Sequence, residues 1–308
     1  MHISAIRLTH DHLPQCAALW PDRAGFTQAE FARAVAACDT LLRDGRALGS
    51  IVREGQRLRS YGISTFIEER FADEYLACPH PQIGKRLLLE GSGTGAVLDW
   101  KGVAARNAGE GLQLVVVSTN YDLAAREPML VVGVLIRAFM EMHRGYRIAR
   151  IINEVIGHSA VDVMTKAAVY DVHSTFTEIV PGGGVPSAIG VLTRARAEAR
   201  RSPLVGMFAY NPPRVLFTRA EQHVLRAALD GAPDDVVSTR LGLPVSAVKA
   251  RWTRIHQRVM KCLPELVGHV RVPQFGDRRG VQTRHLILEY IRENPSELTP
   301  YARLAGKC

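Results

Sequence analysis

The chain contains 308 residues, of which 47% are hydrophobic and 22% are charged. These values are ordinary for a globular protein, exclude a chain that is disordered over most of its length, and leave room for two domains. The formal net charge is +9. Residues 185–308 contain 20 Lys and Arg against 10 Asp and Glu, whereas residues 1–184 contain 19 against 20. This asymmetry predicts that the C-terminal half binds a polyanion.

The cysteines and the apolar runs indicate a cytoplasmic chain. The five cysteines are scattered and form no CxxC pair, which is typical of a reducing compartment. The N-terminus lacks the layout of a signal peptide. The longest apolar run, 129–140, is shorter than the ~18 residues that cross a bilayer and contains Arg137. We therefore expect a cytoplasmic protein with no membrane partner.

Residues 1–180 are predicted to form an α+β domain, a mixed sheet with flanking helices that could serve as a sensor. Alternation or β-branched content predicts strands at 1–8, 47–55, 57–69 and 112–119. Apolar residues at steps of three and four predict helices at 27–42, from 72, at 129–142 and at 146–155. The glycine-rich run 91–95 is interpreted as a surface turn, because a phosphate-binding loop requires a following Lys-Ser or Lys-Thr.

Pro181–Gly184 is predicted to be the domain boundary, because three glycines after a proline give a flexible segment. The segment 181–202 is interpreted as a linker with a basic helix. That helix could contact a nucleic-acid backbone, transmit a signal, or be a solvated linker. A second, all-α domain follows at 203–265, and a helical extension follows at 266–308. The last predicted helix, 282–294, carries an apolar stripe that we expect to pack on the second domain or on another copy of the chain.

The segment Phe217–Val259 is predicted to form three short helices separated by two tight breaks. Thr218 is a residue type that caps a helix start, and Gly242 can adopt the left-handed conformation at a helix end. Asp230–Gly231 ends the first helix. The third helix is amphipathic, with Val248, Trp252, Ile255 and Val259 on its apolar face. Its opposite face is basic, and a helix of this form suits the major groove of DNA.

This segment resembles the helix-turn-helix of LuxR/FixJ-type transcriptional regulators. The positions that match the pattern of that family are Thr218, Glu221, Val224, Leu225, Gly231, Arg240, Leu241, Gly242, Val248, Lys249 and Ile255. The resemblance implies a helix-turn-helix DNA-binding domain in a transcriptional regulator that is not an enzyme. Pro233, Pro244, Val236 and Arg251 depart from the pattern and leave the base preference open. The alternative is a three-helix packing unit with a solvated basic face.

The resemblance and the charge pattern together predict the residues that bind DNA. Arg251 and Arg254, with Ser246, Ala247 and Ala250, are expected to face the bases. Lys249 and Arg258 are expected to contact phosphates. The expected partners are double-stranded DNA, a second copy of the chain in a homodimer, and a small-molecule effector of unknown identity. No catalytic residue, metal or cofactor is assigned.

A second resemblance supports an alternative function. The sequence HRGYRIARIINEV, residues 143–155, resembles the CoA-binding turn of GNAT acetyltransferases, although the Gly-x-Gly or Gly-x-Ala spacing after Arg144 is missing. The alternative is therefore a GNAT-like acyltransferase with a nucleic-acid-binding C-terminal domain. A third interpretation is an interaction module whose three helices bind protein.

Overall fold

The computed structural model describes residues 3–21, 23–91, 95–121, 127–167, 169–180, 183–267 and 278–302. The chain forms two compact units, Met1–Ala209 and Tyr210–Cys308. The central part of the run 91–95 and, within the predicted extension 266–308, residues 268–277 and 303–308 lie outside the described residues.

A seven-stranded mixed sheet forms the centre of the N-terminal unit. Its strands are β1 (Ile3–Arg7), β2 (Ala47–Glu54), β3 (Arg57–Ile67), β4 (Leu112–Tyr121), β5 (Ile148–Ile156), β6 (Asp171–Phe176) and β7 (Ser187–Thr193). The spatial order is β1-β2-β3-β4-β5-β7-β6. Among the described strands, β4 and β5 pair in parallel and the other neighbours pair antiparallel. The predicted mixed sheet of the N-terminal unit is therefore confirmed.

Helices cover both faces of this sheet. They are α1 (Leu13–Ala18), α2 (Gln28–Arg43), α3 (Glu69–Ala77), α4 (Ile83–Arg86), α5 (Trp100–Ala108), α6 (Pro128–His143), α7 (His158–Ala167) and α8 (Arg194–Ala199). Thr27 and Glu30 form a capping box that starts α2, in which the Thr27 N–H donates to the Glu30 carboxylate at 2.8 Å. Along the described chain, no helix combines the length and the apolar content needed to cross a membrane.

Two predictions for the N-terminal unit are wrong. Residues 148–156 form the strand β5 and not a helix. Ile151 and Ile152 are both fully buried, in cores on opposite faces of the sheet. A strand that is buried on both faces loses the alternation of polar and apolar residues, and its isoleucines then recur at helical spacing by chance.

The second error concerns the domain boundary. β7 follows Pro181–Gly184 and pairs with β5 and β6, so the sheet continues past the predicted boundary to Thr193. The predicted basic helix at 185–201 is a strand followed by the short helix α8. The N-terminal unit extends to Ala209 because Leu204, Met207 and Phe208 pack into one of its cores. The predicted division at 181–202 therefore falls inside this unit.

The C-terminal unit is built from helices. They are α9 (Arg219–Ala228), α10 (Asp234–Leu241), α11 (Val245–Cys262), α12 (Pro264–Val267) and α13 (Arg278–Glu293). The first three lie where the sequence predicts them, with Thr218 in a capping box and Gly242 at a φ of +61° after α10. The predicted helix-turn-helix identity is not confirmed by this packing.

The apolar stripe of the last helix packs inside the same unit. Ile287, Leu288 and Ile291 are buried in one core with Val248 and Ile255 of α11. The stripe is therefore covered within the chain, and it no longer supports dimer formation through this helix.

Candidate functional site

The parallel strand pair β4–β5 opens into a fork. β4 and β5 pair only as far as Val116 and Asn153. Beyond these residues β4 continues to Tyr121 alongside β3, and β5 continues to Ile156 alongside β7. The two strands therefore separate towards their carboxyl ends, which is where open α/β sheets usually bind ligands.

On one face of the sheet, α4 closes the fork. A Cβ on Gly84 would lie 2.0 Å from the carbonyl oxygen of Val117, so α4 approaches β4 more closely than any other residue type at position 84 would allow. The Glu154 carboxylate accepts hydrogen bonds from the N–H groups of Gln82 and Ile83, both at 2.8 Å. Burial raises the pKa of Glu154, and both of its oxygens are engaged in holding the start of α4.

On the opposite face, the fork opens into an apolar cavity of about 120 Å³. The cavity lies between the sheet and the helices α6 and α7, and its lining includes Gly62, Val116, Leu135, Phe139, Val155 and Met164. Asn153 also lines it. This side chain is 4% exposed, and its Oδ1 has no hydrogen-bond partner among the described residues. A buried amide oxygen that lacks a partner is costly, so Asn153 Oδ1 offers an acceptor to a ligand in the cavity.

A polar mouth adjoins the apolar cavity. It is lined by Pro21, Thr119 and Asn120 and by the first turn of α7, which includes His158 and Ser159. Thr119, Val155 and Ala160 line both spaces, so the cavity and the mouth are adjacent at these residues. The first turn of a helix presents unpaired backbone N–H groups and a partial positive charge. The mouth can thus stabilise a developing negative charge, with an imidazole beside it.

The predicted CoA-binding turn does not belong to this site. Arg144 is the C-cap of α6, and β5 begins at Ile148. Residues 144–147 therefore lie at the amino end of β5, whereas the fork is at its carboxyl end. The Arg147 N–H donates to Asn107 Oδ1 at 2.7 Å, which ties this turn to α5.

The outer face of α11 carries most of the predicted DNA-binding residues. Ser246, Lys249, Ala250 and Arg254 are exposed, and Ala247 and Arg251 are partly exposed. Among the described residues of this unit, Lys249, Arg251 and Arg254 form no ion pair, whereas several other cations do. These three positive charges are therefore available to an anionic partner.

Arg258 is the exception among the predicted DNA-binding residues. Its Nε donates to Glu221 Oε2 at 3.1 Å, and the Glu221 side chain is only 4% exposed. This guanidinium neutralises a buried carboxylate, and the expected phosphate contact of Arg258 stays a prediction.

The basic face also extends onto α9, which the sequence reasoning missed. Arg219 and His223 are exposed on that helix. Partial desolvation of this imidazole lowers the pKa of His223, and the nearby cations Arg226, Arg219 and Arg251 lower it further. The i, i+4 spacing of Arg219 and His223 was visible in the sequence, but their proximity to Arg251 of another helix was not.

Comparison with known proteins finds likeness in solved structures only. No family model matches the chain, and no curated protein matches it. The chain is similar to Arabidopsis thaliana NAA60 in complex with a bisubstrate analogue, at 12% identity and a TM-score of 0.40, over 62% of this chain and 98% of that one. It is also similar to the ribosomal-protein-S18-alanine N-acetyltransferase from Escherichia coli, at 12% identity and a TM-score of 0.36, over 62% and 94%. An N-acetyltransferase from Staphylococcus aureus matches at 11% identity and a TM-score of 0.38, over 63% and 99%.

These neighbours contradict two expectations from the sequence. The chain was expected not to be an enzyme and to be a LuxR-type transcriptional regulator. The similar structures are acetyltransferases, and no family model matches the helix-turn-helix segment. Both expectations are therefore wrong. At these identities the likeness concerns the fold, and the chemistry of the cleft has to follow from its own residues.

Proposed function

We propose that the N-terminal unit is a GNAT-like acyltransferase, and that the C-terminal half of the chain binds nucleic acid. The observation that carries the first part is that an apolar cavity and a polar mouth lie side by side at the fork and share lining residues. An acyl thioester has the same two-part character, an apolar chain and a reactive carbonyl. With the chain in the cavity, the carbonyl lies near Thr119, Val155 and Ala160, where the two spaces meet.

The mouth supplies the groups that acyl transfer needs. An amine attacks the thioester carbonyl, the C–N bond forms, the C–S bond breaks, and the thiol leaves. The backbone N–H groups at the start of α7 stabilise the oxyanion that develops on the carbonyl. His158 accepts the proton that the amine loses and returns it to the departing sulfur.

Thiol release by the full-length chain tests this proposal. The assay uses acyl thioesters with and without a primary amine. His158→Ala should lower the rate by about 10²-fold, in the range that a positioned base contributes. His173→Ala is the matched control, because the Nε2 of His173 is within hydrogen-bond distance of the Leu76 carbonyl, outside the mouth. Amine-independent release, or equal rates in both variants, would refute the proposed transfer.

For the C-terminal unit, we also propose that the exposed face of α11 contacts duplex nucleic acid. The residues of this face are Ser246, Ala247, Lys249, Ala250, Arg251 and Arg254. The support is that Lys249, Arg251 and Arg254 are exposed or partly exposed and form no ion pair with a described residue, in the half of the chain that carries the excess positive charge. The predicted homodimer and the predicted small-molecule effector stay predictions.

Salt-dependent binding of a short DNA duplex tests this second part. Each phosphate contact makes the affinity fall with salt, so Lys249→Ala should reduce the salt slope by about 1. Arg254→Ala should weaken specific binding by ~1–3 kcal/mol if this side chain makes a bidentate contact to a base. Arg214→Ala is the control, because Arg214 lies before α9 and pairs with Glu265 at 3.4 Å. Binding that does not change with salt would rule out a phosphate interface.

A further inference from the structure

The cations on the outer face of α11 have neighbours on a second helix. Arg219 and His223 lie four residues apart on α9, so they share one face of that helix, and both are exposed. Arg251 of α11 is close enough to His223 for its charge to act on the imidazole. Arg219, His223 and Arg251 therefore form one patch across two helices, which is named the α9–α11 patch.

The α9–α11 patch carries positive charge that no partner neutralises. None of its three side chains forms an ion pair with a described residue. Arg226, the next cation of α9, is engaged differently, because its guanidinium donates to the Leu298 carbonyl. An exposed group of unpaired cations attracts an anion.

The charges that act on the His223 imidazole are all positive, namely those of Arg226, Arg219 and Arg251. α9 packs against α10, α11 and the short 3-10 helix Pro295–Leu298. The other charged side chains of these elements, and of the turn after α9, do not act on the imidazole. They are Glu221, Asp230, Asp234, Asp235, Arg240, Lys249, Arg254, Arg258, Lys261 and Glu297.

His223 is the member of the patch whose charge can change near neutral pH. The neighbouring cations and the partial desolvation of the ring both lower its pKa in the free protein. A phosphate bound among Arg219, His223 and Arg251 places a negative charge beside the imidazole and raises this pKa. Binding of the phosphate and protonation of His223 therefore favour each other.

On these grounds we propose that the α9–α11 patch binds a phosphate of the duplex that contacts α11, and that His223 takes up a proton from solvent on binding. The imidazolium then donates a hydrogen bond to a phosphate oxygen. This inference rests on the proposed binding of nucleic acid by α11. It adds a second helix to the interface and a dependence on pH, because the affinity rises as the pH falls through the pKa of the bound state.

The test measures the affinity of the full-length chain for a short DNA duplex at constant ionic strength, by fluorescence anisotropy. Between about pH 8 and about pH 5.5 we expect a gain of about five- to tenfold, which corresponds to a rise of about one unit in the pKa of His223. His223→Gln should lose this gain and bind within about twofold of the natural chain at about pH 8. His285→Gln is the matched control, because His285 lies on α13 and pairs with Glu289 at 3.1 Å.

A second variant tests the phosphate contact without titration. Arg219→Ala should reduce the salt slope of binding by about 1, as expected for the loss of one phosphate contact. Arg214→Ala, the control for Lys249→Ala, should leave the slope unchanged. A salt slope that is unchanged in Arg219→Ala, or a pH dependence that is the same in His223→Gln and the natural chain, would overturn the proposal.

This proposal and the proposed function can fail separately. A salt slope that falls in Lys249→Ala, together with a pH dependence that persists in His223→Gln, supports the interface on α11 and refutes the α9–α11 patch. Binding that changes with neither salt nor pH refutes both.

Discussion

The two units differ in the location of their candidate binding sites, which is an internal cavity in one and an exposed helix face in the other. In the N-terminal unit, β4 and β5 separate after Val116 and Asn153, and an apolar cavity remains inside the unit. In the C-terminal unit, helices close around Val248, Ile255 and Val259, which are fully buried, and the candidate binding residues lie on the outer face of α11.

This difference explains which kind of ligand suits each unit. An internal cavity with a hydrophobic lining favours an apolar chain, because burial in it removes hydrocarbon from water. Cations on an exposed helix face favour a polyanion, because they are hydrated in the free protein and pair with phosphates on binding. Removing a buried side chain should therefore affect the stability of the two units to different extents. The pH dependence of stability and two glycine substitutions at the fork probe the N-terminal unit more finely.

The largest difference is expected from truncating one buried aliphatic side chain in each unit. Ile255→Ala opens a hole in a closed core and should lower the free energy of unfolding by about 3–5 kcal/mol. Leu135→Ala should cost about 2 kcal/mol, because Leu135 already borders the cavity on one side. Hydrogen exchange, read separately for peptides of α11 and α6, measures both costs. Equal losses would mean that the cavity is filled when the protein is in solution.

The next test uses pH, because His143 is fully buried at the end of α6. Burial lowers its pKa to about 4, and its Nε2 lies 2.7 Å from Ser64 Oγ. The imidazole Nδ1 donates to the Phe139 carbonyl, so the Ser64 hydroxyl donates to Nε2. The ring is neutral when folded, whereas it charges near pH 6.5 when unfolded. The free energy of unfolding is therefore unaffected by His143 above pH 6.5, and it decreases as the pH falls towards 4.

The loss in the free energy of unfolding caused by His143 should reach about 2 kcal/mol at pH 5 and roughly 3 kcal/mol at pH 4. Glu154 acts in the opposite direction, because its raised pKa costs stability as the pH rises above about 4.5. The comparison of the natural chain with His143→Gln separates the two groups, since only the His143 contribution disappears. Identical pH profiles for both proteins would show that His143 is not buried in its neutral form.

The parts of this structure that could be predicted from the sequence are the local ones. Local features depend on residues only a few positions apart. They include the capping boxes at Thr27 and Thr218 and the periodic helices α2, α6 and α11. The fork could not be predicted, because Val116 and Asn153 meet only in the folded sheet. The Glu221–Arg258 ion pair could not be predicted for the same reason, because its two partners lie on different helices.

The third test addresses the closed side of the fork. Gly84→Ala places a methyl group against the Val117 carbonyl, and α4 can accommodate it only by moving away from β4. We expect a loss of about 1–3 kcal/mol, the usual cost of forcing extra volume into a packed interior. Chemical denaturation measures it, and Gly206→Ala, where an added Cβ meets no atom within 4 Å, is the control. If both variants are equally stable, α4 does not press on β4 at the fork.

The smallest effect is expected on the open side of the fork, at Gly62. An added Cβ would lie 3.8 Å from Thr119 Oγ1 and 4.0 Å from Leu135 Cδ1, which are ordinary contact distances. Gly62→Ala should therefore raise the free energy of unfolding by about 0.5 kcal/mol, because it restricts the unfolded chain without straining the folded one. Its methyl group projects into the cavity, so a decanoyl thioester should bind more weakly while an acetyl thioester is unaffected. If Gly62→Ala is more stable and prefers a shorter acyl chain, the size of this cavity limits the length of the acyl chain that binds. An unchanged preference for chain length would show that the acyl chain binds elsewhere.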